Sequence, residues 1–93
     1  MAVTVTKWDA AEYLDNDETI AAYLADVMAS GDRNHIVHAL NTVARARGMT
    51  QIAKEAGIAR QALYKSLGED GNPTLSTLLG VLKSLGLSLA VKA

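Results

Sequence analysis

Apolar positions recur at two spacings along this 93-residue chain. Val3 and Val5 alternate with Thr4 and Thr6, which predicts a short strand or extended arm. Leu87, Leu89 and Val91 alternate with Ser88 and Ala90, which predicts a short terminal strand. Between these ends the spacing is helical. Asp9 is placed to cap a short helix through Leu14, with Trp8 ahead of it as a staple residue. Asp15-Asn16-Asp17 breaks that helix, and Asp17 is the expected cap of the next. This second helix runs from about Glu18 to Ala29, with Ile20, Tyr23, Leu24, Val27 and Met28 inward, and Ser30-Gly31 stops it. Asp32 caps a third helix reaching Arg47, with Ile36, Leu40, Val43 and Ala44 on one face. Arg45 and Arg47 fall in its last turn, where cations suit the helix dipole, and Gly48 ends it.

Thr50 is the expected cap of a short helix through Ala56. Gly57 follows it, free to adopt the left-handed conformation that closes a helix. A further short helix starts at Ala59 or Arg60 and reaches Leu67. Gly68 to Pro73 is a loop by composition. Thr74 caps a final helix through Leu85, with Leu75, Leu78, Leu79, Leu82 and Leu85 expected inward. Gly80 lies inside it at a cost of ~1 kcal/mol relative to Ala, which predicts a close helix contact there. Gly86 ends the helix. The expected fold class is all-α: a compact five- to six-helix bundle with short terminal β segments. One domain spans residues 1–93. It divides into an acidic N-terminal helical segment (1–31), a helical core (32–86) and a C-terminal strand (87–93).

Composition sharpens this picture in three ways. Alanine and leucine, 16 and 12 residues, dominate the apolar set and both favour helix. The absence of Cys removes disulfides and thiolate metal sites. No apolar run approaches the ~18–20 residues that span a membrane, and the first residues do not read as a secretory signal. A cytoplasmic, membrane-free protein is the expectation.

The net charge of −1 conceals a polarity. Residues 1–32 carry seven acids and one base; residues 33–93 carry eight bases and three acids. Halves of opposite sign suggest two partners, one of them an anion. Solvated helix faces give the same split, so charge alone does not decide between the two.

The segment from Thr50 to Leu67 narrows the choice. Two short helices meet at a glycine turn, and Ala53 supplies the small residue that lets them cross closely. Ile52, Ala56, Ile58, Leu63 and Leu67 form their shared core. This is the helix-turn-helix pattern, in which the second helix enters a DNA major groove. Arg60, Gln61, Tyr64 and Lys65 form one stripe opposite that core. Arg pairs bidentately with guanine and Gln with adenine. Tyr64 suits a thymine methyl or a phosphate, and Lys65 a phosphate. Gln51, at the start of the first helix, and Thr74, after the loop holding Asn72, are the candidate phosphate anchors.

Other chemistry is thinly supported. His35 and His38 have metal-compatible spacing but no third ligand nearby in sequence, so no metal or other cofactor is expected. No nucleophile elbow and no phosphate-binding glycine loop is present, so a non-enzymatic role is expected. Trp8, Tyr13 and Tyr23 suit either interface anchors or packing under the first helices; packing is the preferred reading for Trp8 and Tyr23.

Several of these segments carry a family resemblance. Ala-Arg-Ala-Arg-Gly-Met-Thr-Gln-Ile-Ala (44–53), Gly-Ile-Ala-Arg-Gln-Ala-Leu-Tyr-Lys-Ser-Leu (57–67), Glu-Asp-Gly-Asn-Pro-Thr-Leu-Ser-Thr-Leu-Leu (69–79) and Leu-Gly-Leu-Ser-Leu (85–89) resemble the probable addiction-module antidote family. Trp8-Asp9-Ala10-Ala11-Glu12-Tyr13-Leu14 and Tyr23-Leu24 extend the likeness over nearly the whole chain. Gly68 departs from it, standing where serine is common. The resemblance implies a phage-repressor-like helix-turn-helix antitoxin, encoded beside a basic toxin of the RelE/ParE superfamily. Such a protein binds and neutralises the toxin, forms a homodimer and represses its own operon by binding operator DNA. The acidic segment then becomes the candidate toxin surface, with Asp9, Glu12, Tyr13, Asp17 and Glu18 as its residues. The alternative is a stand-alone phage-repressor-like transcriptional regulator without a toxin. A rival from another class is a protein-interaction module with no DNA role.

Overall fold

The computed structural model describes residues 16–91, and five helices account for most of them. They are α1 (Asp17–Ser30), α2 (Arg33–Arg47), α3 (Met49–Ala56), α4 (Arg60–Ser66) and α5 (Leu75–Ser84). The expected strand at Val3–Thr6 and the helix from Asp9 to Leu14 lie outside the described residues. The described part is all-helical, as the spacing predicts for residues 17–86.

Helix α2 joins α1 to α3, and its apolar face carries small and branched residues. Ala39, Leu40, Val43 and Ala44 are fully buried. Helix α1 packs on α2 through Ile20, Leu24 and Val27, while Tyr23 and Met28 are half-buried at the edge of the same core. Tyr23 is therefore packing, as preferred from sequence. Helix α3 packs on α2, α4 and α5, contributing Met49, Ile52 and Ala53, and α5 contributes Val81, Leu82 and the following Leu85.

The helix ends explain the register. Asn16 caps α1, its Oδ1 accepting a hydrogen bond from Thr19 N at 2.8 Å. The expected cap, Asp17, is instead the first helical residue. Asn16 takes the extended backbone a cap requires, which leaves the Asp17 carboxylate free to pair with Arg47 at the far end of α2. Asp32 does cap α2, accepting from His35 N at 3.2 Å. Thr50 does not cap α3. Gly48 alone joins α2 to α3: its N–H donates to Ala44 O (2.8 Å) and its carbonyl accepts from Ile52 N (3.0 Å). Its φ of 103° is open to glycine and costly for other residues. The helix consequently starts at Met49, whose side chain is buried, and Thr50 lies exposed in the first turn.

Two glycine turns share one geometry. Gly57 (φ 71°) follows α3, where Ile58 N donates to Ala53 O and Gly57 N to Lys54 O. Gly86 (φ 75°) follows α5, where Leu87 N donates to Leu82 O and Gly86 N to Lys83 O. Both are Schellman closures, in which the residue after glycine packs back on the helix. Ile58 and Leu87 do so, each half-buried against the core. This corrects the C-terminal expectation: no strand forms over residues 87–91. Leu87 is consumed by the cap, and Leu89 and Val91 are exposed.

The inward face of α5 also needs correction. Leu78 is half-buried and Leu82 and Leu85 are buried, but Leu75 is 66% exposed and Leu79 44% exposed. Val81, with none of its surface exposed, takes the inward place that leucine spacing assigned to Leu79.

Candidate nucleic-acid interface

The three-residue connection 57–59 sets α4 against α3. Ala53 is buried, and its carbonyl accepts the Ile58 N–H that closes the turn. Leu63, fully buried, and Leu67 pin the inner face of α4. A side chain on α2 holds its C-terminal end: Asn41 Nδ2 donates to Leu67 O at 3.0 Å, and Arg45 Nε donates to Asn41 Oδ1 at 3.0 Å. Arg45 thus orients the amide that satisfies one of the last carbonyls of α4, a group left without an intrahelical partner.

The opposite face of α4 is free of core contacts. Arg60, Gln61, Tyr64 and Lys65 are all exposed there, so the structure brings the four stripe residues to one helix and one side. Arg60 and Tyr64 touch. Arg60 Nη2 donates to the Tyr64 hydroxyl at 3.1 Å, and the guanidinium carbon lies 5.1 Å from the ring centroid. Gln51 is exposed on α3, as are Thr50 and Lys54. Thr74 is exposed but occupied. It caps α5, its Oγ1 accepting from Thr77 N at 3.1 Å and lying 3.1 Å from Thr77 Oγ1. A phosphate contact from Thr74 would therefore share a hydroxyl already engaged in capping.

The loop between α4 and α5 is tied down by residues that charge counting did not single out. Arg33 Nη1 donates to Gly71 O at 2.9 Å, spending one of the basic-half cations on the scaffold. Gly71 is buried, and a Cβ there would overlap the Ser66 carbonyl oxygen and lie 2.9 Å from Gly68 N. Only glycine fits, for reasons of space. Neither feature had a sequence signal beyond Gly71 lying in a glycine-bearing loop, because each depends on a partner distant in the chain or folded back on it.

Of the expected toxin-facing residues, Asp9, Glu12 and Tyr13 lie outside the described residues. Asp17 and Glu18 are exposed at the start of α1, and Asp17 is ion-paired to Arg47. Trp8 also lies outside the described residues. His35 and His38 are both exposed; His38 borders an open cleft of about 430 Å³ with Asn34, Asn41 and Glu69. Among the described residues no three His, Asp or Glu side chains converge as a metal site, and no helix is long and apolar enough to cross a membrane.

Comparison with known proteins bears on what this arrangement serves. A protein of Haemophilus influenzae, itself described only as uncharacterised, is 41% identical over 92 residues, covering 99% of this chain and 95% of its own length. No solved structure matches the chain. The family model for the probable addiction module antidote protein matches residues 4–93. That match takes in α1 to α5 and the exposed stripe of α4 together, and the chain belongs to the probable addiction module antidote protein family.

Proposed function

We propose that this protein is a type II antitoxin that neutralises a RelE/ParE-superfamily toxin by direct binding and represses its own operon by sequence-specific DNA binding. The observation that carries the DNA half is the outer face of α4. Four residues able to reach bases or phosphates share one exposed side of a short helix, held by a glycine turn and a buried inner face. In the helix-turn-helix mode, α4 enters the major groove while α3 lies across the backbone. Arg60 and Gln61, in the first turn of α4, contact base edges, and Tyr64 and Lys65 lie one turn further along. Gln51 on α3 and Thr74 at the cap of α5 meet phosphates. A homodimer presents two such helices to a palindromic operator, ~34 Å apart along the duplex.

The toxin half rests on family membership and on charge. An addiction module antidote has a toxin partner, and the acidic residues of the first third complement a small basic protein. Glu18 and Asp17 are its described members, and Asp9, Glu12 and Tyr13 complete the proposed surface.

The test is co-expression with the product of the adjacent gene, followed by affinity capture and a growth assay. A stable complex and rescued growth are expected. Absence of both toxicity and complex overturns the antitoxin reading and leaves a stand-alone regulator, whose operator is then sought upstream of its own gene.

A further inference from the structure

Within the DNA-binding reading proposed above, on which this inference rests, one contact on the outer face of α4 has a further meaning. Arg60 carries the side chain best suited to bidentate pairing with guanine O6 and N7. Fully solvated, such a side chain samples many rotamers, and ordering it on binding reduces affinity. In the free protein it already has a partner on its own helix. One guanidinium N–H is donated to the Tyr64 hydroxyl at 3.1 Å, one helical turn away, and the guanidinium stands within cation–π distance of the same ring. Both residues are exposed, and helix spacing sets them side by side as an i, i+4 pair.

Arginine has five N–H donors in a rigid fork. The phenol oxygen engages one of them, and the remaining four include enough for a bidentate base contact. The phenol O–H keeps its own hydrogen for an acceptor. We infer that Tyr64 is a positioning residue: its hydroxyl holds the Arg60 guanidinium in the orientation that reads a guanine, and so sets sequence specificity at the base pair Arg60 contacts. A direct thymine or phosphate contact by Tyr64 predicts something different. It places the tyrosine's effect at another base pair, or spreads it evenly over all sequences.

The full chain is used to select from a randomised duplex library, in parallel with Tyr64→Phe, Arg60→Ala and the double variant, each first checked for native helicity. The wild-type chain is expected to enrich a motif with guanine at a defined position, and Arg60→Ala to erase that preference. Tyr64→Phe keeps the ring and removes only the hydroxyl. It is expected to lower the guanine preference at that same position about three- to ten-fold, the scale of one hydrogen bond. Its affinity for non-specific duplex and its salt dependence should match the wild type. In the Arg60→Ala background the tyrosine substitution should have no further effect on that position. Unchanged preference in Tyr64→Phe, a loss at a different base pair, or additive effects in the double variant each overturn the positioning role while leaving DNA binding intact. Failure of the wild-type chain to enrich any motif overturns the DNA reading itself, and the inference with it.

Discussion

Gly80 of α5 lies directly against Ala56 at the end of α3. A Cβ built on Gly80 would sit 3.3 Å from both the Cβ and the carbonyl oxygen of Ala56, and 3.7 Å from its Cα. The glycine lets α5 approach the helix that precedes the Gly57 turn. Gly80→Ala in an open helix interior would stabilise by about 1 kcal/mol. Here the new methyl meets backbone atoms and a short side chain that cannot swing aside, and overpacking costs about 1–3 kcal/mol. The net expectation is a loss of about 1 kcal/mol, read as a lowered midpoint in urea unfolding. A raised midpoint would show that the two helices part without cost.

The unequal burial of the α5 leucines predicts unequal mutational costs. Leu82→Ala removes a buried side chain and is expected to cost about 2–5 kcal/mol. Leu75→Ala and Leu79→Ala remove exposed ones and should each change stability by less than about 1 kcal/mol. Thermal unfolding of the three variants checks the order. Equal losses at all three would contradict the exposed placement of Leu75 and Leu79.

On DNA, Arg60 and Lys65 are expected to fail in different ways. Arg60→Ala should cost about 1–3 kcal/mol on the operator and relax preference at one base pair per half-site. Lys65→Ala should weaken all sequences alike and reduce the slope of log affinity against log salt by about one. Fluorescence anisotropy over a salt series, with operator and scrambled duplexes, separates the two. Affinities unaltered by both substitutions would favour the protein-interaction module over the repressor.

Asp17 and Glu18 are adjacent acids with different surroundings. Arg47 already neutralises Asp17, whereas among the described residues no salt bridge engages Glu18. Glu18→Gln is therefore expected to weaken the complex with the toxin more than Asp17→Asn does, as measured by calorimetric titration. Asp17→Asn should instead act on the fold, by less than about 1 kcal/mol, because the pair is largely solvent-exposed. That small effect should shrink further at high salt. The reverse ranking in toxin binding would remove the start of α1 from the proposed surface.

The candidate interface was mostly legible in advance because it depends on local spacing. Arg60, Gln61, Tyr64 and Lys65 fall on one side of any helix that begins near Ala59 and buries Leu63 and Leu67. The Arg60–Tyr64 contact is also local, an i, i+4 pair. The supports of that interface were not legible. Asn41 reaches Leu67 across 26 residues and Arg33 reaches Gly71 across 38, and nothing in the composition of either segment marks the pairing.

By itself, the sequence determined the number and order of the described helices, the caps at Asp32 and Thr74, the glycine turn at Gly57 and the outward stripe of α4. All of these follow from chain geometry within one or two helical turns. Only the tertiary structure decided which of several apolar residues face inward and which capping-competent residue begins a helix. Periodicity assigned Leu75 and Leu79 to the core, but a helix lying on one neighbour buries a limited arc, and Val81, Leu82 and Leu85 filled it. Alternation at the C-terminal end predicted a strand, but Leu87 found a better place against the core as the close of a helix cap. In both cases local pattern allowed two arrangements, and the burial available from the rest of the fold chose between them.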